Sequence, residues 1–197
     1  MQQLIRGQVL DFHADPQDNA DNHRFWEDGA ILVEDGRIVA VGDHADLARD
    51  GLPEIDHRPH LILPGFIDPH IHFPQLQVIA SWGAQLLDWL NTYTFPAEAQ
   101  FADPDHAARM ADLFLDQLTA HGTTTAVAFC SSHKTSAEAL FAAAHARDMA
   151  MVAGKVMMDR NAIPAVHDTP QSSYEDSRAL IEAWHGKGRQ RYAITPR

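Results

Sequence analysis

Two histidines one residue apart, in His70-Ile71-His72, close the run Leu61-Ile62-Leu63-Pro64-Gly65-Phe66-Ile67-Asp68-Pro69. The apolar part, Leu61 to Ile67, reads as a buried strand. On an extended chain, side chains alternate between faces, so positions 70 and 72 point one way and Ile71 the other. Two neutral imidazoles then converge on one point, which suits a zinc-like ion. His-X-His by itself is a weak signal in a chain with 13 histidines. Its place at the end of a strand, just after a Pro-Gly turn, gives it weight.

The elements that must position this pair change character near residue 64. Before it, strand and turn signals dominate. Gln8 to Phe12 reads as a strand, and Ala30–Glu34 and Arg37–Val41 flank Asp35-Gly36, a strong two-residue hairpin signal. Ala14 to Gly29 is polar and reads as a loop. After Pro64, strands alternate with helices. A long connection from about Phe73 to Phe101 follows the first strand. A helix is expected over Asp105–His121, with Ala108, Ala111, Leu115 and Leu118 inward and Gly122 ending it. Thr123–Cys130 is the second strand, Ser136–Arg147 a helix, Ala150–Met157 the third strand and Ser172–Gly186 a helix. Arg191–Thr195 begins a fourth strand.

That alternation implies an α/β fold with a parallel sheet and crossover helices. Four such units are half of a (β/α)8 barrel. The chain stops at Arg197 with its fourth strand barely begun. The expectation is therefore the N-terminal part of a longer protein, in preference to a complete small doubly wound domain.

Composition narrows the function classes. The chain has 197 residues, with 15 basic against 27 acidic, a formal charge of −12. Such an acidic chain is a poor partner for nucleic acid or an anionic membrane surface, and a small-molecule substrate fits better. No apolar run is long enough for a transmembrane helix. Met1–Gly7 lacks the regions of a signal peptide, and the single Cys130 cannot close an internal disulfide. These features predict a cytoplasmic protein.

Pro64-Gly65-Phe66-Ile67-Asp68-Pro69-His70-Ile71-His72 and His121-Gly122-Thr123-Thr124-Thr125 resemble the first- and second-strand motifs of the amidohydrolase superfamily. Residues 1–64 are similar to the N-terminal part of the small β-sandwich flanking its barrel, and residues 65–197 to the N-terminal half of that barrel. Further motifs resemble the guanine deaminase branch: His72-Phe73-Pro74-Gln75, Leu86-Leu87-Asp88-Trp89-Leu90, Tyr93-Thr94-Phe95-Pro96-Ala97-Glu98, Gly154-Lys155-Val156-Met157-Met158-Asp159 and Thr195-Pro196-Arg197. The Tyr93–Glu98 stretch is the most specific of these.

The resemblance implies zinc-dependent hydrolysis of guanine to xanthine and ammonia, with one Zn2+ per full-length subunit and a homodimer. His70 and His72 match metal ligands. Gln75 and Arg197 match side chains that bind the purine, with His72 and Phe73 beside them. The remaining ligands, two histidines and an aspartate, and the acid/base glutamate are expected beyond Arg197, so this chain alone is expected to be inactive. The chemistry is consistent: zinc lowers the pKa of bound water to roughly 7, a carboxylate shuttles the proton, and amide and guanidinium groups suit a purine edge. Pro69 departs from the motif, since proline is unusual inside a central strand.

Other residues admit plainer readings. Asp68 could fix an imidazole or serve a turn. Lys155 reads as structural rather than as a carbamylated metal bridge. His133 either lines the site or sits in a solvated loop. Trp89 and Phe95 read as core in preference to pocket wall, and Cys130 as a buried apolar group rather than a nucleophile. Two rival functions stand beside the main one. The nearer is an amidohydrolase deaminase for another purine, a pterin or a triazine. The more distant is a metal-binding or interaction fragment without catalysis.

Overall fold

A computed structural model describes residues 1–15, 17–83 and 85–197. Pro16, in the expected loop, and Ala84, in the expected long connection, lie outside the described residues. The chain divides into two compact units, Met1–Pro64 and Gly65–Arg197. No helix among the described residues is long and apolar enough to cross a membrane.

The first unit is one four-stranded sheet. Its strands are β1 (Gln2–Phe12), β2 (His23–Glu34), β3 (Arg37–Asp43) and, after the short helix α1 (His44–Leu47), β4 (Glu54–Ile62). Their order is β3-β2-β1-β4. β2 and β3 form the hairpin across Asp35-Gly36, both of which have positive φ (49° and 76°), as a type I′ turn requires. Leu4, Ala30 and Leu32 make a small core on the sheet. The expected loop from Ala14 to Gly29 is shorter: His23–Gly29 already belong to β2, because β1 runs long enough to pair with them. The described residues of this unit form a single sheet, without the second sheet of a sandwich.

The second unit is α/β. Strands β5 (Phe66–His72), β6 (Thr123–Phe129), β7 (Ala150–Gly154) and β9 (Gln190–Tyr192) form a parallel sheet in that order. Helices α4 (Pro104–Ala120), α5 (Lys134–Ala146) and α6 (Pro170–Trp184) are the crossovers. Two short strands, β8 (Val156–Met157) and β10 (Thr195–Pro196), pair in parallel beyond β7 and β9. The core lies between the sheet and the helices. From α4 it takes Ala107, Met110, Ala111, Phe114, Leu115 and Leu118, which repeat at helical spacing. Ala107 holds the place expected of Ala108, which is exposed. Asp103 caps α4 by accepting from the Asp105 amide at 2.9 Å.

Three sequence expectations are corrected. Leu61–Ile67 is not one buried strand: β4 ends at Ile62, β5 begins at Phe66, and Leu61, Leu63, Phe66 and Ile67 are exposed. Pro64-Gly65 breaks the run, and β5 is an edge strand of its sheet. Phe73–Phe101 is largely helical, not an open connection: a 3₁₀ segment (Phe73–Val78), α2 (Leu86–Trp89), a π-type turn (Leu90–Thr94) and α3 (Phe95–Ala99) follow one another. The third and fourth strands are each broken, after Gly154 and after Tyr192. A Cβ at Gly154 would overlap the Ala193 carbonyl oxygen, so this close crossing requires glycine.

At the break after β7, Lys155 turns inward. It is fully buried and its ammonium meets Asp168, which also accepts from the Ser172 and Ser173 hydroxyls. This settles Lys155 as a structural residue. Burial raises the Asp168 pKa, but Lys155 and the two hydroxyls outweigh it and hold the carboxyl at about 2. A pKa below the unfolded value of about 3.9 stabilises the fold above that pH, and the contribution is lost as pH falls toward 2. In the full-length protein, Lys155→Met is expected to lower the unfolding free energy by about 3–5 kcal/mol at pH 7 by stranding the carboxylate. Urea unfolding should show the wild-type advantage shrinking between pH 4 and pH 2; an equal gap at both would contradict this account.

Candidate active site

The carboxyl ends of parallel strands carry the chemically useful side chains. His70 and His72 stand at the end of β5, Phe129 at the end of β6, and Arg197 directly after β10. Open α/β sheets bind ligands at this edge.

A bulge sets the histidines. Asp68 pairs with Ala126 and Ile71 with Ala128, so three steps along β5 match two along β6. The extra residue falls at Pro69-His70, where proline has no N–H to give to a ladder. The Asp68 carboxylate accepts from the His70 backbone amide at 3.0 Å. Asp68 therefore serves the turn; it makes no hydrogen bond to an imidazole among the described residues.

Beyond the bulge the expected alternation holds. Ile71 packs on the helix-side core, while the His70 and His72 rings lie together with centroids 5.3 Å apart. Phe129 packs on both, 5.0 Å from His70 and stacked 4.7 Å from His72. Burial first, then the neighbouring His70 and Arg197, lower the His72 pKa below the ordinary imidazole value. A neutral imidazole is the form that binds a metal. The donor chemistry thus fits a zinc-like ion, but it is half a shell: no group of three His, Cys, Asp or Glu among the described residues could hold a metal.

A cleft of about 490 Å³ opens on the pair, lined also by Gln75, Leu76, Ser81 and Trp89. Trp89, expected in the core, is a wall of this cleft, and its indole N–H donates to the Ser81 carbonyl at 3.1 Å. Phe73, expected at the substrate, is instead fully buried against Phe101 and Phe114, with centroids 5.0 and 5.2 Å away. The 3₁₀ segment that starts at Phe73 turns this ring into the helix-side core and leaves Gln75 at the cleft.

Arg197 opens on two neighbouring cavities rather than on this cleft. A residue that sequence reasoning missed connects it to Gln75. Glu98 is 1% exposed, and its Oε1 accepts from Gln75 Nε2 at 3.4 Å while its Oε2 accepts from Arg197 Nη1 at 3.1 Å. The signal was available, since Glu98 ends the specific Tyr93–Glu98 stretch. Its role depends on a contact 99 positions away in sequence, which no local pattern reveals. Phe95 belongs to a second small core with Val156, Met158 and Val166, and the Arg197 guanidinium sits 5.2 Å above its ring. His133 neither lines the cleft nor meets solvent fully: its Nε2 is buried without a partner among the described residues. Burial lowers its pKa first, with a further push from Lys155. Cys130 is buried in the core, which pushes its thiol up to about 12 and rules out a nucleophilic role.

Comparison with known proteins gives the family. The model of the amidohydrolase family matches residues 61–197. The chain belongs to the amidohydrolase family. Residues 29–50 of this amidohydrolase also match a bacterial imidazolonepropionase-like composite domain. Over 98% of its length it is 44% identical to the guanine deaminase of Escherichia coli and 41% identical to a probable guanine deaminase of Deinococcus radiodurans. It covers 45% and 46% of those relatives, so it spans about half their length. The solved E. coli guanine deaminase superposes with a TM-score of 0.93, covering 99% of this chain and 46% of that one. The C. acetobutylicum guanine deaminase, solved with guanine in its active site, gives 0.86 at 30% identity, covering 100% and 46%.

Two expectations test the metal roles. In the full-length protein, His70→Ala and His72→Ala should each remove bound zinc and activity together. Residues 1–197 alone should hold well under one zinc per chain after dialysis, because two imidazoles fill half of a tetrahedral shell. Metal analysis decides both; stoichiometric zinc in residues 1–197 would show that a complete site is already present.

Proposed function

We propose that the full-length protein hydrolyses guanine to xanthine and ammonia with one zinc ion per subunit. The observation that carries this reading is the chain of contacts Gln75–Glu98–Arg197, set beside the His70/His72 pair at the carboxyl edge of the sheet. In this reading the parallel sheet begins a (β/α)8 barrel and residues 1–64 contribute to a β-sandwich. Later strands supply two further histidines, an aspartate and the acid/base glutamate. A cytoplasmic homodimer fits the same reading.

The chain's own residues do three jobs in it. His70 and His72 would hold the ion, and burial of His72 disfavours a competing proton on that ring. When bound, zinc supplies the Lewis acidity that makes water nucleophilic near neutral pH. Arg197 is pinned through Nη1 and stacked over Phe95, so its Nε and Nη2 have no hydrogen-bond partner among the described residues. That free edge is a two-donor fork, and the O6 and N7 acceptors of guanine match it as a pair. Adenine offers a donor where guanine has O6, which the fork cannot use. Gln75 adds an amide at the cleft. In the reaction, a C–O bond forms from water to the purine carbon, the C–N bond to the exocyclic amine breaks, and protons pass to ammonia.

Ammonia release with guanine, adenine and cytosine tests the reading. The expected result is turnover of guanine with little or none of the others; equal or faster turnover of adenine or cytosine would overturn the assignment. Gln75→Ala should keep zinc and raise KM for guanine about tenfold, the cost of one buried polar partner left unmade. Loss of zinc in that variant would reverse the roles of Gln75 and the histidines.

A further inference from the structure

We infer that Glu98 is a positioning residue that fixes both purine-contacting side chains, setting which atoms Gln75 and Arg197 present to the base. The inference rests on the deaminase reading and goes beyond it by assigning its specificity to a residue that need not touch substrate.

Hydrogen-bonding capacity decides what each partner of Glu98 can present. An ionised carboxylate only accepts, and a guanidinium only donates. Arg197 Nη1 lies 3.4 Å from Oε1 and 3.1 Å from Oε2 of Glu98, so one N–H group straddles both oxygens. That contact commits Nη1 and leaves the Nε–Nη2 edge for a ligand. Gln75 is held the same way but with a further consequence. Its carboxamide can present either oxygen or nitrogen, and the two faces recognise opposite base edges. Beside an acceptor-only group, only the NH2 can face inward, and Nε2 does so at 3.4 Å. The Gln75 oxygen is therefore turned away from Glu98, as an acceptor. Guanine carries donors at N1 and at its 2-amino group, whereas N1 of adenine is an acceptor, so a fixed oxygen at this position favours guanine.

Burial makes the device firm. Glu98 is 1% exposed and lies on α3, whose Phe95 supports the Arg197 guanidinium from below. Both ends of the clamp thus hang from one five-residue helix. Burial raises the Glu98 pKa above the ordinary carboxylate value, and the Arg197 charge and the hydrogen bonds from Gln75 and Arg197 oppose that rise without cancelling it.

The test uses the full-length enzyme with guanine as the probe. Wild-type turnover comes first: an enzyme that does not deaminate guanine overturns the deaminase reading and this assignment with it. With an active wild type, Glu98→Gln is expected to raise KM for guanine about 10- to 100-fold, as for loss of hydrogen bonds to a charged group. kcat should fall by a smaller factor, and zinc content should stay at the wild-type level. The Gln75→Ala/Glu98→Gln double variant should raise KM by less than the product of the two single effects, because the two residues act as a unit. An unchanged KM, zinc loss in step with activity, or a multiplicative double variant would each overturn the assignment while leaving the deaminase reading intact. If Glu98→Gln does not accumulate as folded protein, Glu98→Asp carries the test: it keeps the charge and withdraws it by one methylene. A KM raised about threefold or more with zinc retained supports the inference, and a wild-type KM overturns it.

Discussion

A proline that cannot donate a hydrogen bond governs the geometry of this site. Pro69 interrupts the ladder between β5 and β6, and the strand responds by accommodating one extra residue there. Without the bulge, the regular pleat would carry the residues after it in a different register against β6. The Asp68 carboxylate takes the His70 amide and stabilises the kink. The strand resumes with Ile71 opposite Ala128 and His72 opposite Phe129, so the imidazoles and the Phe129 ring come together on one face. What looked like a departure from a strand motif is the feature that aims the strand's last two histidines.

The parts of this arrangement that were legible in the sequence are those fixed by local chemistry. Asp35-Gly36 specified a hairpin because both residues tolerate positive φ. The α4 stripe followed from helical spacing, and Gly122 ended that helix with a φ of 79°. The His70/His72 alternation followed from the pleat. What was not legible depends on distant partners. Phe73 sits two residues before Gln75 and looked like its neighbour in function. The 3₁₀ turn sends the ring toward Phe101 and Phe114 instead, a choice made by packing with residues 28 and 41 positions later. Leu61–Ile67 carried the composition of a buried strand, and that reading ran across the change of character near residue 64, where the unit boundary at Pro64 ends one strand before the next begins.

The connection between Phe73 and Phe101 shows a related limit. It contains glycine and few periodic apolar positions, so it reads as open chain, but it folds as consecutive short helical pieces. Its π-type turn at Leu90–Thr94 adds a residue to the helical repeat between Trp89, which faces the cleft, and Phe95, which faces the second core. Such turns are rare and recur at functional sites because they rotate one part of a helix against the next. Here Trp89 and Glu98 serve different parts of the site from one nearly continuous helical run.

Two buried ion pairs in the second unit show how structure and function separate. Asp168 is saturated: Lys155, the Ser172 and Ser173 hydroxyls and the Thr169 amide all donate to it, and Lys155 is wholly enclosed. A closed network of this kind has no capacity left for a ligand, and its chemistry ends in holding the β7 break against the start of α6. Glu98 and Arg197 form an open one. The carboxylate is enclosed, but the Arg197 side chain is 27% exposed and its second donor edge is free among the described residues. Burying a carboxylate is costly, and a single loose ion pair compensates it poorly. The cost becomes reasonable if the pair's remaining donors are completed by something that binds. On that ground the unsaturated pair, rather than the saturated one, is the pair whose free donors the proposed purine site would use.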